Sequence, residues 1–495
     1  MRALLALPVA LPLLGAAVSL IFRGRRVAQR AIGIVTVAST VVVSLAILVR
    51  VEADGPQATQ AGNLAAPFGI TLVADLFSAM MLVVSSVMLL AVLVYAIGQR
   101  GTDEEAGVFH PVYLVLAAGV GLSFLAGDLF DLFVAFEVML TSSYVLITLG
   151  ASRAQVRSGM TYVVISLFAS MLFLLTIGFI YAATGTLNFA DLAEKIEAVP
   201  SGVRMAMALM VFVVFGVKAA IFPLFFWLPD SYPTAPTPVT AIFAALLTKV
   251  GVYAIIRTET LLFLPDLERV STFVLAIAGL TMVVGVLGAI AQNDIKRMLS
   301  FHIVSQIGYM ILGLGFFTVA GIAGAIFFIV NQIVVKTALF LVGGLVEHGT
   351  GTGALAKMSG LAKRSPLLAV LFLLAALNLA GVPPFSGFVA KLALVEAGFA
   401  VDRWLVVGVS LFVSLLTLYS MTKIWSGVFW GPVEPAVEPD SLRFRLPRPM
   451  IMSTAVLVVC TLAITVAARP VFDLSTRAAT ELVDPRAYVR EVIGR

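Results

Sequence analysis

The sequence predicts an all-α polytopic membrane protein with about fourteen transmembrane helices. Three observations support this fold class. Of the 495 residues, 61% are hydrophobic and only 12% are charged, which is typical of a chain that lies mostly in lipid. Apolar stretches of about 20 residues, long enough to cross a bilayer, recur along the whole chain. Two of them are interrupted by proline at corresponding places, which indicates an internal repeat.

The N-terminal apolar run resembles a signal peptide, but only Arg2 precedes it and many spans follow. We therefore interpret it as the first transmembrane helix. Hydropathy places the spans at 3–22, 31–52, 71–97, 110–127, 129–149, 158–182, 203–228, 236–257, 270–291, 294–316, 320–346, 366–400, 404–429 and 449–468.

Basic residues concentrate in the loops that follow odd-numbered spans. The positive-inside rule makes these loops cytoplasmic, so both termini of this plasma (inner) membrane protein are expected outside the cytoplasm. The segment from Arg469 to Arg495 opposes this assignment with five arginines, but we expect such a tail to orient the chain less strongly than short loops do. The loop residues are Arg23, Arg25, Arg26, Arg30, Arg153, Arg157, Lys296, Arg297, Lys357, Lys363, Arg364, Arg443, Arg445 and Arg448.

The composition excludes several function classes. Cys460 is the only cysteine, so this chain alone holds neither an iron–sulfur cluster nor a cysteine-based zinc site. No two of the three histidines share a predicted span, which disfavours haem. We expect no cofactor and no metal. The net charge of +5 reflects basic loops that set topology and predicts no nucleic-acid partner.

The seventh span reads VVFGVKAAIFPLFFWLPDSYP and the twelfth LLAALNLAGVPPFSGFVAKLALV. Proline in mid-span removes a backbone hydrogen bond, which membranes tolerate where the freed groups face protein or water. The two spans run in opposite directions. They predict inverted five-helix units at 110–257 and 258–430, preceded by a three-helix segment at 1–109 and followed by a last helix and tail at 431–495. The alternative is two ordinary proline kinks.

Five of the nine lysines lie inside apolar stretches, whereas nearly all 23 arginines lie in connecting segments. Lysine can lose its proton when buried, and arginine cannot. The pattern therefore predicts a proton or cation path. Lys423 lies near the cytoplasmic end of span 13. The favoured interpretation is that its side chain merely snorkels to the membrane surface. The five lysines are Lys218, Lys249, Lys336, Lys391 and Lys423.

Glu137 lies about eight residues into span 5, and we expect it to pair with Lys218 at similar depth. A static salt bridge is the alternative. Lys249 has no acid at mid-depth in its own span. At a separation of ~6 Å and an effective dielectric near 20, Lys218 and Lys249 would repel by roughly 3 kcal/mol. That repulsion is enough to move a proton when one lysine turns toward Glu137.

Lys336 follows Asn331 and Gln332, which can hold water. Together with Lys218, Lys249 and Lys391, it is expected to form a lateral row of protonatable groups. His302 and Gln306 share a face of span 10, where the histidine is either part of the relay or a satisfied core group.

Four segments carry a family resemblance: GDLFDLFVAFEVMLTSSY, VFGVKAAIFPLFFWLPDSYPTAPTPVTAIFAALLTKVGVYAIIR, LSFHIVSQIGYM and GVPPFSGFVAKL. They resemble D subunits of Mrp-type cation/proton antiporters and, more widely, antiporter-like subunits of respiratory complex I and membrane-bound hydrogenases. The resemblance covers about residues 65–430. It implies a fourteen-helix fold with inverted repeats, and proton translocation by a helix-5 glutamate and by lysines on helices 7, 8 and 12. The matching residues are Glu137, Lys218, Lys249 and Lys391. Gln306 and Gln332 stand where some relatives have histidine.

The predicted function is that of a proton-translocating subunit of a multisubunit Na⁺/H⁺ antiporter, a transporter and not an enzyme. Its expected partners are other membrane subunits, protons, Na⁺ and the lipid bilayer. The alternative is a proton-pumping subunit of a redox complex such as complex I. A non-conducting scaffold and a carrier of organic solutes are further hypotheses. The tail after Arg469 is either an amphipathic helix along the interface or disordered.

Overall fold

The structure, a computed structural model, describes residues 2–99, 101–103, 107–431 and 446–494. In these ranges the regular secondary structure is helical apart from one antiparallel pair of short strands, β1 (Gln57–Gln60) and β2 (Thr71–Ala74). Arg443 and Arg445 of the predicted basic loops lie outside the described residues. The helices are α1 (Arg2–Ile21), α2 (Arg26–Asp54), α3 (Leu76–Gly98), α4 (Phe109–Leu125), α5 (Leu129–Ile147), α6 (Arg153–Thr184), α7 (Phe189–Lys195), α8 (Ser201–Ala219), α9 (Trp227–Ser231), α10 (Thr237–Ile242), α11 (Thr248–Leu262), α12 (Leu264–Glu268), α13 (Ser271–Ile290), α14 (Ile295–Gly315), α15 (Val319–Thr350), α16 (Leu361–Arg364), α17 (Pro366–Ala380), α18 (Ser386–Ala400), α19 (Trp404–Val428), α20 (Arg448–Val466), α21 (Ala468–Val483) and α22 (Arg486–Ile493).

The predicted fold class is confirmed. In the described part of the chain, 12 helices are long and apolar enough to cross a membrane, and α4 and α17 are shorter apolar helices. Each predicted span has a counterpart in order. The boundary between the fourth and fifth spans falls at residues 126–128, and that between the ninth and tenth at 291–294. The burial of α11 and α15 places these two helices at the centre of the bundle.

Both proline-interrupted spans are broken. Helix α8 ends at Ala219, and the next residue is left-handed with a φ of 61°. Helix α17 ends at Ala380, and Gly381 follows with a φ of 79°. A cis X–Pro bond lies within the next few residues of each break. The predicted interruptions of spans 7 and 12 are therefore present, and the two breaks have the same construction.

A pair of matching loops shows the internal inversion more directly. In the first half, the chain before α5 pairs with the chain after α6, because the Leu129 amide donates to the Leu187 carbonyl. In the second half, the chain before α14 pairs with the chain after α15, because the Ile295 amide donates to the Gly353 carbonyl. Alternate spans run in opposite directions, so these two loops lie at opposite ends of the bundle.

The sequence carries a motif for these loops. Helices α6 and α15 both end in Thr-Gly-Thr, with the central glycine left-handed at φ values of 70° and 75°. The first threonine hydroxyl donates to the carbonyl of the second threonine in each case, from Thr184 to Thr186 and from Thr350 to Thr352. The repeat boundaries at residues 110, 258 and 431 stay predictions.

The eighth span contains an interruption that the sequence analysis did not predict. Between α10 and α11, residues Phe243–Leu247 form a π-helical turn. π-turns leave backbone carbonyls without their usual α-helical partners and are frequent at functional sites. Here the turn precedes Lys249 by two residues.

The tail is helical, and it packs on protein. We call the end of the bundle that carries β1, β2, α7, α21 and α22 the capped face. Helix α21 buries Ser475, Ala478, Ala479 and Leu482, and its Phe472 ring packs edge-on against Phe327 of α15, with the ring centroids 5.7 Å apart. Its apolar side is thus directed toward the bundle and not toward lipid.

Candidate functional site

Glu137 and Lys218 do not form the direct pair that the sequence analysis expected. Ser170, on α6, lies between them. The Lys218 Nζ donates to the Ser170 Oγ at 2.9 Å, and the Ser170 Oγ donates to the Glu137 Oε1. Lys218 also donates to the Ser166 carbonyl at 3.2 Å. The acid and the amine are therefore joined through one hydroxyl, which can accept a proton from one side while releasing one to the other.

Lys218 reaches this position because α8 stops just after it. The lysine is 7% exposed, and its Nζ lies 5.7 Å from the centroid of the Phe136 ring, one residue before Glu137. Trp227, beyond the break, donates from its indole nitrogen to the Val217 carbonyl at 3.1 Å. The same carbonyl accepts from the Ala220 amide at 3.2 Å, so the indole adds a second donor at the end of α8 and fixes the break beside the lysine.

Helix α11 approaches the end of α8 very closely. A Cβ atom on Gly251 would lie 2.8 Å from the Ala219 nitrogen and 3.1 Å from the Lys218 carbonyl carbon. Only glycine permits this approach. Lys249 lies two residues earlier on α11, is 1% exposed, and donates to the Ala244 carbonyl at 2.5 Å within the π-turn. The unpredicted turn thus supplies the hydrogen-bond acceptor of the second lysine.

Lys336, on α15, is fully buried, and within the described residues its Nζ has no hydrogen-bond partner. The side-chain amides of Gln332 and Gln306 and the Nδ1 of His302 are likewise buried without a partner there. The Nε2 of His302 lies 2.7 Å from the Ser420 Oγ. These groups all belong to α14 and α15. Buried polar groups without protein partners are where internal water binds, so this region is the best candidate for a hydrated link.

Lys391, on α18, is 7% exposed and donates to the Ala380 carbonyl and to the Ser414 Oγ, both at 2.9 Å. The Ala380 carbonyl is at the end of α17. The lysine therefore binds the backbone that the break in span 12 releases, just as Lys249 binds the backbone of the π-turn. Its Nζ is 5.1 Å from the centroid of the Tyr309 ring.

A closed triangle of side-chain hydrogen bonds stabilises the same break. Asn331 donates to Asn378 at 3.1 Å, Asn378 donates to Ser386 at 3.0 Å, and Ser386 donates to Asn331 at 2.8 Å. The three residues lie on α15, α17 and α18. The sequence analysis expected Asn331 to hold water, whereas the structure gives it two protein partners.

Lys423 is only half-buried, unlike Lys218, Lys249, Lys336 and Lys391. Its Nζ donates to the carbonyls of Ile290 and Gln292 at 2.8 and 2.7 Å, at the C-terminal end of α13. A cation at this end of a helix interacts favourably with the helix dipole. The geometry agrees with the structural interpretation of this residue.

Glu137 is only half-buried, whereas the expected direct pair with Lys218 implied a buried carboxylate. It lines an open surface groove of about 410 Å³ between α4 and α5, together with Val112, Val115, Thr141 and Val145. A carboxylate at mid-depth is costly against lipid. Cover by another protein at this groove would therefore shield the carboxylate from lipid.

Ser170, Asn378 and Ser386 were missed by the sequence analysis. A serine or asparagine in an apolar helix has many structural uses, and single residues in spans 6 and 12 carry no spacing that relates them to Glu137 or Lys336. Only for Ser386 did the sequence offer an indication of a role at the site, because this residue follows Pro384 of the break by two residues.

The fold and the buried lysines define an all-α polytopic membrane protein with titratable groups in its interior. A family described as NADH:quinone oxidoreductase/Mrp antiporter, TM, matches residues 126–417. The chain belongs to this family.

Full-length relatives specify the resemblance further. The chain is 44% identical to a Na(+)/H(+) antiporter D subunit of Alkalihalophilus pseudofirmus, with 100% of both chains covered, and 36% identical to the protein of that name in Bacillus subtilis, with 98% of both covered. The predicted resemblance to D subunits is confirmed.

Two solved structures match the whole fold. One is a chain of the Mrp complex from Dietzia sp. DQ12-45-1b, with a TM-score of 0.93, 33% identity and 100% of both chains covered. The other is a chain of a membrane-bound sulfane sulfur reductase, an archaeal respiratory membrane complex, with a TM-score of 0.89, 27% identity and 99% of both chains covered.

Proposed function

We propose that this chain is the proton-translocating subunit of a multisubunit Na⁺/H⁺ antiporter, and that protons move along Glu137, Ser170, Lys218, Lys249, Lys336 and Lys391, with His302 beside the path. One observation carries the proposal. In the described residues, none of the four lysines forms an ion pair with a carboxylate. Each has neutral acceptors or no acceptor, so its proton is not fixed by a counter-charge.

The first transfer follows from the bridge geometry. The N–H bond of the Lys218 ammonium breaks as its proton passes to the Ser170 oxygen, and the Ser170 O–H proton passes to the Glu137 carboxylate. The products are a neutral amine, an intact serine and a carboxylic acid. No other group has to move, because both hydrogen bonds are already formed. The reverse transfer restores the ammonium and the carboxylate.

The later transfers require water. Between Lys249 and Lys391 lie the unpartnered groups of Gln306, Gln332, Lys336 and His302, which offer both donors and acceptors. Water bound there would connect the amine of Lys336 to its neighbours, and His302 would join through its free Nδ1. Glutamine cannot exchange a proton as histidine does, so water replaces the histidines that some relatives carry.

The partners in this proposal are other membrane subunits, one of them covering the groove at Glu137. The basic loops support an orientation with the capped face and both termini outside the cytoplasm, in the plasma membrane. Sodium moves through the assembled complex, and no group described here is assigned to it.

The test measures cation-dependent proton flux in vesicles that contain the assembled complex. Lys218→Met and Lys391→Met are expected to abolish the flux, because methionine fills similar space without a titratable group. The control is Lys195→Met, since Lys195 is an exposed lysine that pairs with Asp191 one turn earlier on α7. Assembly is checked by copurification of the partner subunits. Full flux in an assembled Lys218→Met complex would overturn the proposal.

A proton-pumping subunit of a redox-driven complex is the second candidate, and the match to the archaeal respiratory complex favours it. The proton path would be the same, because the redox centres would belong to partner chains. Purification of the native complex decides between the two functions. A copurified flavin or iron–sulfur protein would support the respiratory function, and its absence together with Na⁺-dependent flux would support the antiporter.

A further inference from the structure

Glu259, near the end of α11, is a buried carboxylate that the row of lysines does not use. Its residue is 0% exposed, and neither carboxylate oxygen has a hydrogen-bond partner among the described residues. An ionised carboxylate held in this way is strongly unfavourable, since burial without hydrogen bonds or a counter-ion costs several kcal/mol. The group is therefore stable only with a bound proton or a bound cation.

The nearby arginines are already engaged. Arg257, two residues away, donates to both carboxylate oxygens of Asp75, with an Nη2–Oδ1 distance of 2.7 Å. Arg204, on α8, pairs with Asp266 in the same two-fold way. Within the described ranges, neither arginine donates a hydrogen bond to Glu259. Its burial is thus not explained as half of a structural salt bridge.

Glu259 lies between the solvent side and the proton path. It follows Lys249 by ten residues on α11, a rise of about 15 Å. On the other side, Thr260, Leu261 and Leu262 line a cavity of about 450 Å³ at the capped face, whose wall also contains Arg204 and Asp266. Glu259 directly precedes these three lining residues along α11, so a short water link would let its carboxylate exchange protons with the cavity.

We propose that Glu259 is a proton-binding site that connects the solution at the capped face with Lys249. This inference rests on the proposed function and names one of its end points. The Glu259 carboxylate takes a proton from water in the cavity, forming an O–H bond. That bond breaks when the proton passes through water to the neutral amine of Lys249, which becomes an ammonium, and the carboxylate is restored.

The spacing of α11 explains how this step is controlled. Lys249, Val252, Ile256 and Glu259 are separated by three, four and three residues, so they follow one side of the helix. Val252 and Ile256 are both 0% exposed and separate the two titratable groups. Water crosses this apolar interval only transiently, so the cavity and the row of lysines are not permanently in contact.

The experiment uses the assembled complex in vesicles and compares Glu259→Gln with Glu268→Gln, an exposed carboxylate on α12. We expect Glu259→Gln to lower cation-dependent proton flux at least tenfold and to remove one carboxylic-acid C=O band from the infrared spectrum. Glu268→Gln should change neither. Lys249→Met should abolish flux but keep the band, which separates this site from the rest of the path.

Three outcomes would overturn the inference. The first is full flux in Glu259→Gln while Lys218→Met is inactive, which would leave the proposed function intact. The second is a wild-type spectrum without a carboxylic-acid band that depends on residue 259. The third is a band that responds to Na⁺ concentration at fixed pH, which would assign a cation to the site. If Glu259→Gln fails to assemble, the band is measured in wild type against Glu259→Asp, where a proton site predicts a shifted band.

Discussion

The hydroxyl of Ser170 is the smallest change that tests the first proton transfer. Ser170→Ala removes one oxygen, which accepts from Lys218 at 2.9 Å and donates to Glu137. Hydrogen bonds to charged groups contribute about 1.5–3 kcal/mol each. Loss of one such interaction in the rate-limiting transfer corresponds to a factor of roughly 10 to 160 in rate. We therefore expect cation-dependent proton flux in vesicles to fall by about that factor.

Two variants distinguish loss of the hydroxyl from a packing defect. Ser170→Thr keeps the hydroxyl and should restore most of the flux, whereas a loss due to packing would not be restored. Ser166→Ala is the matched control one turn earlier on α6. Lys218 binds the carbonyl of that residue and not its hydroxyl, so the bond survives the substitution. The reasoning is refuted if Ser170→Ala and Ser166→Ala transport equally well in complexes assembled to the same level.

Three further predictions concern other parts of the molecule. Gly251→Ala places a Cβ against the backbone of α8, at an overpacking cost of about 1–3 kcal/mol. It should lower both the thermal stability and the proton flux. The control Gly408→Ala, which has open space around it, should lower neither. Asn378→Leu leaves Asn331 without its acceptor and should destabilise the break in span 12 by about 1–3 kcal/mol, measured as a lower unfolding midpoint in detergent; an unchanged midpoint would contradict the role of the triangle. Outside the membrane spans, burial and the charge of Asp75 raise the pKa of Glu481 from 4.5 to about 7, against the opposing effects of the Leu76 amide, Arg257 and Arg477. The folded state thus holds a proton that the unfolded state releases, so attachment of α21 should weaken as pH rises from about 4.5 to about 7. A spin label on α21 should report this change, and Glu481→Gln should remove it.

The sequence was sufficient for the spans and the breaks because hydrophobic length and proline are local properties. It placed the four lysines in broken or buried helices for the same reason. It did not predict the π-turn, since Phe243–Leu247 has no proline or glycine. It also missed Ser170, because the bridge joins α5, α6 and α8 and depends on how three helices pack. Glu137 is less buried than its expected pairing with Lys218 implied, since depth along a helix does not say which side of the helix faces the bundle.

The lysine partners explain why the breaks and the titratable groups occur together. A charged lysine at mid-membrane costs roughly 2.5–3.5 kcal/mol. Four charged lysines would therefore cost about as much as the whole stability of a typical protein. A helix break offers an alternative to a fixed carboxylate, because it supplies carbonyl oxygens that accept hydrogen bonds from the ammonium. These oxygens are neutral, so little interaction energy is lost when the proton leaves. Lys249 at the π-turn and Lys391 at the end of α17 use this arrangement. Placing a carboxylate beside such a carbonyl, for example by Ser414→Asp in place of the hydroxyl that accepts from Lys391, should hold the proton in place. Flux should then fall although every lysine is still present, and flux that survives in this variant would show that mobile protons do not require neutral partners.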